Sequence, residues 1–144
     1  MLKRIDHLGI AVRALGPALA LYRDALGLRV AGTEEVAAEK VRVAFLPLGD
    51  TRLELLEPTG AESPVARFLE RRGEGLHHVC FEVEDLDGIL RSASGGALEL
   101  LPGYPRAGAE GGRVAFFHPR STGGVLIELV ERGGTGERKQ GGQR

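Results

Sequence analysis

Cysteine is almost missing from this 144-residue chain: Cys80 is the only one, so no disulfide can form within it. A lone thiol fits a reducing compartment, and the cytoplasm is the simplest setting. Tryptophan is absent and aromatics make up 5% of the residues. That leaves little material for a pocket that grips its ligand by ring stacking. No apolar run approaches the ~20 residues that span a bilayer. The segment from Met1 to His7 has no apolar stretch of the signal-peptide kind. An excess of one charge is lacking too, with 19 Lys and Arg against 20 Asp and Glu. The basic residues are scattered, so neither a nucleic-acid nor a membrane partner is expected. From 133 to 144 apolar residues are lacking altogether. That stretch is expected to be a disordered tail, because it has nothing to bury against its ordering entropy.

What the chain does have is a duplication. Arg42-Val43-Ala44-Phe45 recurs as Arg113-Val114-Ala115-Phe116, at an offset of 71 residues that also carries His7 onto His78. Past these stretches the offset is 74, and Leu53-Glu54-Leu55 falls on Ile127-Glu128-Leu129. The difference is an insertion in the turn from Pro119 to Gly124, where turns tolerate one. Repeated units in one order point to two copies of one supersecondary module.

Each copy reads as strand, helix and three strands. Ile5 to Val12 alternates as a half-buried strand. Pro17 to Leu26 carries apolar residues at helical spacing and stops at Gly27. Leu28 to Val36, Val41 to Leu48 and Arg52 to Leu56 read as strands, with Gly49-Asp50 as a hairpin turn. Ser63-Pro64 opens a linking helix that ends at Gly73. The second copy gives strand Leu76 to Val83, helix Asp85 to Ala93, and strands near Ala97 to Leu100, Arg113 to Phe117 and Val125 to Val130. The expected class is α+β, two tandem βαβββ modules in a cupped mixed sheet with helices on its outer face. They would form one domain over 1–132, with modules at about 4–60 and 75–132 joined by a helix at 63–72.

Strand alternation then sorts the side chains by face. Leu8, Ile10 and Val12 pack on a helix, so His7 points away; Val79, Phe81 and Val83 pack, so His78 points away. Leu53 and Leu55 pack, which turns Glu54 to the helix-free face, and Ile127 and Leu129 do the same for Glu128. A single strand histidine or glutamate is usually just hydrogen-bonded or solvated. Two equivalent pairs ask for a common cause. Two imidazoles and two carboxylates suit a divalent first-row metal. The other polar residues read as bland: His77 on the packed side, His118 in a turn, Glu57 and Glu131 solvated at strand ends. Arg42 and Arg113 alternate away from the packed Val and Phe residues, either lining the cup or on the plain surface.

These residues resemble the vicinal-oxygen-chelate superfamily from Ile5 to Glu131. Three stretches resemble its methylmalonyl-CoA epimerases. They are Ile5-Asp6-His7-Leu8-Gly9-Ile10-Ala11-Val12, then Glu54-Leu55-Leu56-Glu57-Pro58 with Ser63-Pro64-Val65-Ala66-Arg67-Phe68-Leu69. The third is Gly75-Leu76-His77-His78-Val79 with Phe117-His118-Pro119 and Gly123-Gly124-Val125-Leu126-Ile127-Glu128-Leu129. The resemblance implies a metal bound by His7, Glu54, His78 and Glu128, with Glu128 also catalytic. Cobalt is the first expectation, with Mn, Ni, Zn or Fe as alternatives. It implies an acyl-CoA substrate, inversion at its C2 through a metal-stabilised enolate, and a homodimer. Position 54 is Gln in some relatives. A catalytic Glu on the third strand of the first module is matched here by Val43, with Glu39 the nearest substitute. A glyoxalase-like isomerase of a glutathione hemithioacetal would use the same four ligands, but the Ser-Pro helix weighs against it. An extradiol dioxygenase would run to a longer chain. A metal-free drug-binding module would present aromatics that this chain lacks.

Overall fold

The computed structural model describes residues 1–93 and 96–133. All of the expected tail except Gly133 lies outside the described residues. The elements in chain order are strand β1 (Leu2–Ala11), helix α1 (Leu15–Leu19), strands β2 (Gly32–Val36), β3 (Val41–Leu48) and β4 (Thr51–Pro58), and helix α2 (Pro64–Arg72). Then come β5 (Gly75–Val83), α3 (Leu86–Ala93), β6 (Arg106–Ala107), β7 (Arg113–Phe117) and β8 (Ile127–Glu131). The described residues divide into two compact units, one of 7–77 and one of 1–6 with 78–133. The division runs through β1.

In the unit 7–77 the strand order is β2-β3-β4-β1, with β1 parallel to β4 and the other pairs antiparallel. Ile10, Val12, Leu53 and Leu55 face the helix side as their alternation requires. They pack there with Leu15, Ala18, Leu19 and Tyr22. The first helix starts earlier than its spacing predicts. It continues past Leu19 as one wide turn, Ala20–Ala25, whose end is bonded from Leu26 N to Leu21 O at 2.9 Å. Gly27 stops it at φ +78°. Residues 28–31 are not strand, so β2 is shorter than expected. Ser63 caps α2 as its sequence predicts, its Oγ accepting from Val65 N at 3.2 Å.

The unit of 1–6 and 78–133 repeats the plan with the order β5-β8-β7-β6, β5 and β8 being parallel. Phe81, Val83, Ile127 and Leu129 pack with Leu86, Ile89 and Leu90 of α3. The strand expected near Ala97 to Leu100 is reduced to a single bridge between Leu100 and Phe117. The true edge strand is β6, two residues long. Pro102, Gly103 and Pro105 interrupt the stretch between them, and proline cannot donate to a ladder. Among the described residues no helix is long and apolar enough to cross a membrane.

The strand registers decide between the two readings open for Arg42 and Arg113, and hydrogen bonds correct the reading of Glu57 and Glu131. Arg42 shares its face of β3 with Ala44 and Leu46, which pack on the helix side, and Val43 and Phe45 take the other face. Arg42 and Arg113 therefore do not line the helix-free face. Arg113 reaches Asp87 at 2.8 Å instead, and that bond is the main reason the Asp87 carboxyl ionises below its usual range. Glu57 and Glu131 are not simply solvated either. Both are half-buried, and each accepts a hydrogen bond from the first backbone amide of a helix, Leu15 N at 2.8 Å and Leu86 N at 2.7 Å. A carboxylate there satisfies an orphan donor and meets the positive end of the helix dipole. Glu131→Ala is expected to cost about 1 kcal/mol, read as a melting point lower by about 3 °C. The exposed Glu84→Ala should leave the melting point in place.

Candidate functional site

Strand register builds each half of the site. In the parallel pair β1–β4, Gly9 lies opposite Glu54. His7 is two residues before Gly9 and so projects from the same face. Gly9 carries no side chain, and Glu54 reaches past it to His7: Oε2 stands 3.1 Å from His7 Nδ1. In β5–β8 the equivalent partners are Cys80 and Glu128. Glu128 Oε1 stands 3.0 Å from His78 Nε2. The edge of the His78 ring meets Phe116 at 5.4 Å between centroids. His7, Glu54, His78 and Glu128 are all buried, none more than 7% exposed. Buried ionisable groups need partners of this kind to offset lost hydration.

The donor set suits a divalent cation. Ligands at about 2.1 Å from one ion and at right angles to each other lie about 3.0 Å apart. Both His–carboxylate contacts have that spacing, and imidazole with carboxylate is the chemistry such an ion takes. Each pair by itself offers two adjacent donors to such an ion.

Sequence reasoning missed Arg52. It is buried, and its Nε and Nη2 donate to Glu54 Oε2 at 3.0 and 2.8 Å. Its guanidinium lies 4.5 Å over the Phe45 ring. The signal was available, since a residue two before Glu54 in a strand shares its face. Missed too was Asp6, with no exposed surface and a forked pairing to Arg132 at 2.9 to 3.2 Å. Glu82 is likewise buried, on Arg4 at 2.7 Å. His77 stacks edge-on with Phe68 at 4.9 Å, and His118 Nδ1 accepts from Arg120 N in a turn. Both have the structural roles expected of them. Val43 is buried and lies opposite Leu56 on the Glu54 face, so β3 brings no acid there. Glu39 does not replace it. It precedes Val41, whose partner Pro58 is four residues along β4 from Glu54, a span of about 13 Å.

This chain belongs to the glyoxalase/bleomycin resistance protein/dioxygenase superfamily, whose family model matches residues 6–116. Its two βαβββ modules are the vicinal-oxygen-chelate fold. Within the superfamily several of its relatives are epimerases. The ethylmalonyl-CoA/methylmalonyl-CoA epimerase of Cereibacter sphaeroides is 42% identical, covering 91% of this chain and 99% of that protein. The structure of methylmalonyl-CoA epimerase from Mycobacterium tuberculosis superposes with a TM-score of 0.86 at 34% identity, covering 92% of this chain and 90% of that one. A Streptomyces coelicolor methylmalonyl-CoA epimerase variant in complex with 2-nitronate-propionyl-CoA gives 0.85 at 37% identity, over 93% of this chain and all of that one. The resemblance read from the sequence motifs is borne out.

Proposed function

We propose that this chain is a metal-dependent epimerase that inverts C2 of methylmalonyl-CoA, with His7, Glu54, His78 and Glu128 as the ligands of one divalent ion. The reading is carried by one observation. The same buried His–carboxylate contact, at 3.1 and 3.0 Å, recurs at duplicated positions in a chain similar to epimerases over nine-tenths of its length.

The C2 proton of the substrate lies between a thioester and a carboxylate, and no side chain removes it unaided. A divalent ion supplies Lewis-acid stabilisation of the negative charge that develops on the thioester oxygen as that proton leaves, worth several kcal/mol. The chain's own residues do the rest. His7 and His78 would hold the ion in place, so that the reacting groups it binds are kept in one orientation, which lowers the barrier further. Glu128 accepts the C2 proton, its burial keeps bulk water from competing for it, and inversion is completed when an acid returns a proton to the opposite face of C2. Cobalt is the first candidate for the ion, followed by Mn, Ni, Zn and Fe.

The test is conversion of one C2 epimer of methylmalonyl-CoA to the other, before and after chelation. Activity should vanish with chelator and return with a divalent cation. In D2O, deuterium should enter C2 during turnover. Full activity in chelator would end the metal-dependent reading, and inversion without any exchange would end the proton-abstraction step.

A further inference from the structure

The duplication is broken at a buried position beside Glu54. Arg52 precedes Glu54 by two residues, and the residue that precedes Glu128 by two is Leu126. Only the His7–Glu54 half therefore has a guanidinium at this place. Both Arg52 donors converge on Glu54 Oε2, the oxygen that also lies against His7 Nδ1. The Phe45 ring beneath the guanidinium and the loss of all but 6% of its side-chain exposure hold it there. A cation is costly to bury and stays buried only when well paired. Here its partner is a carboxylate proposed as a metal ligand.

We propose that Arg52 is a positioning residue that fixes Glu54 and offsets its charge, and so weakens the hold of that carboxylate on the ion. This rests on the metal-centre reading above. A carboxylate oxygen already accepting two N–H bonds gives less electron density to a cation, so Glu54 is a weaker anchor than it would be without Arg52. Arg52 also leaves the loaded centre one formal charge more positive than its four donors alone would. A substrate that carries a carboxylate and gathers further negative charge as it reacts meets a complementary field. Leu126 gives Glu128 no such guanidinium, and Glu128 is the carboxylate proposed to take the proton.

The experiment titrates the metal-free wild type, Arg52→Met and Arg52→Lys with Co2+ alone by calorimetry. It then measures KM and kcat for methylmalonyl-CoA at saturating Co2+. Removing a unit charge beside the ion should tighten Co2+ binding by about tenfold or more. KM should rise by about tenfold while kcat changes less. Arg52→Lys keeps the charge and should return both quantities toward the wild type. Should Arg52→Met not fold, Arg52→Gln, which keeps an N–H donor and loses the charge, takes its place with the same expectation. Mere structural damage would weaken the metal, so unchanged or weaker Co2+ binding in the folded charge-removing variant overturns the inference. A wild type that binds no divalent cation overturns the metal-centre reading and the inference with it. A wild type that binds Co2+ no differently from its Arg52 variants defeats the inference alone.

Discussion

His78→Ala is expected to lose bound metal and to turn over methylmalonyl-CoA more than about 100-fold more slowly, since loss of a residue that merely supports a ligand already costs 10–100-fold. Its fold should survive. The imidazole makes an edge contact with Phe116 and a close approach to Glu128, and the helix-side core of its unit is built without it. Truncation leaves a small void and a carboxylate with one neighbour fewer, worth about 1–2 kcal/mol. Circular dichroism on heating, beside a Co2+ titration of the same sample, separates the two effects. A variant that melts like the wild type and still binds Co2+ with wild-type affinity removes His78 from the ligand set. Global unfolding would instead mean that the residue is a structural keystone.

Asp6→Asn should damage stability far more than any surface change. Asp6 has no exposed surface, and the Arg132 guanidinium grips both of its oxygens, with Nη2 at 3.1 and 2.9 Å and Nε at 3.2 Å. Asparagine keeps the outline of the side chain and removes the charge, so a largely buried guanidinium loses its nearer counter-ion and keeps only Glu110, at 3.9 Å. Breaking such a pair from one side costs about 3 kcal/mol or more. For a chain of this size that is about 10 °C in melting point. Asp24→Asn removes a carboxylate that pairs with Arg23 at the surface and should leave the melting point where it was. Equal melting of the Asp6 and Asp24 variants would show that the buried pair contributes nothing of consequence.

The features legible in the sequence are those with a local cause. Gly27 and Gly73 stop helices because they take φ +78° and +75°, and Ser63-Pro64 starts one because its hydroxyl and fixed φ suit the first turn. His7, Glu54, His78 and Glu128 could be assigned to one kind of face because apolar and polar residues alternate clearly along their strands. β3 defeats the same reasoning. Val41, Val43, Ala44, Phe45 and Leu46 are all buried, so the strand is apolar on both faces and alternation cannot orient it. The sequence alone therefore does not place Arg42 on the cup or on the surface. The helix-capping role of Glu57 joins residues 42 apart, and that of Glu131 joins residues 45 apart. Asp6 and Arg132 are 126 apart. No window along the chain contains both ends of such contacts. Arg52 differs, because period-two spacing from Glu54 was visible throughout; only its burial was not.

The split of β1 reaches back to the history of the chain. Residues 1–6 are translated with the first copy but fold with the second. The repeat counterpart of Asp6 is His77 and that of Arg132 is Pro58, so this ion pair has no echo in the other half. A gene severed at the repeat boundary would yield two peptides, and the later one would carry Arg132 without the Asp6 carboxylate it grips most closely. The inherited module and the folding unit are therefore different objects, and neither peptide contains a complete copy of the latter.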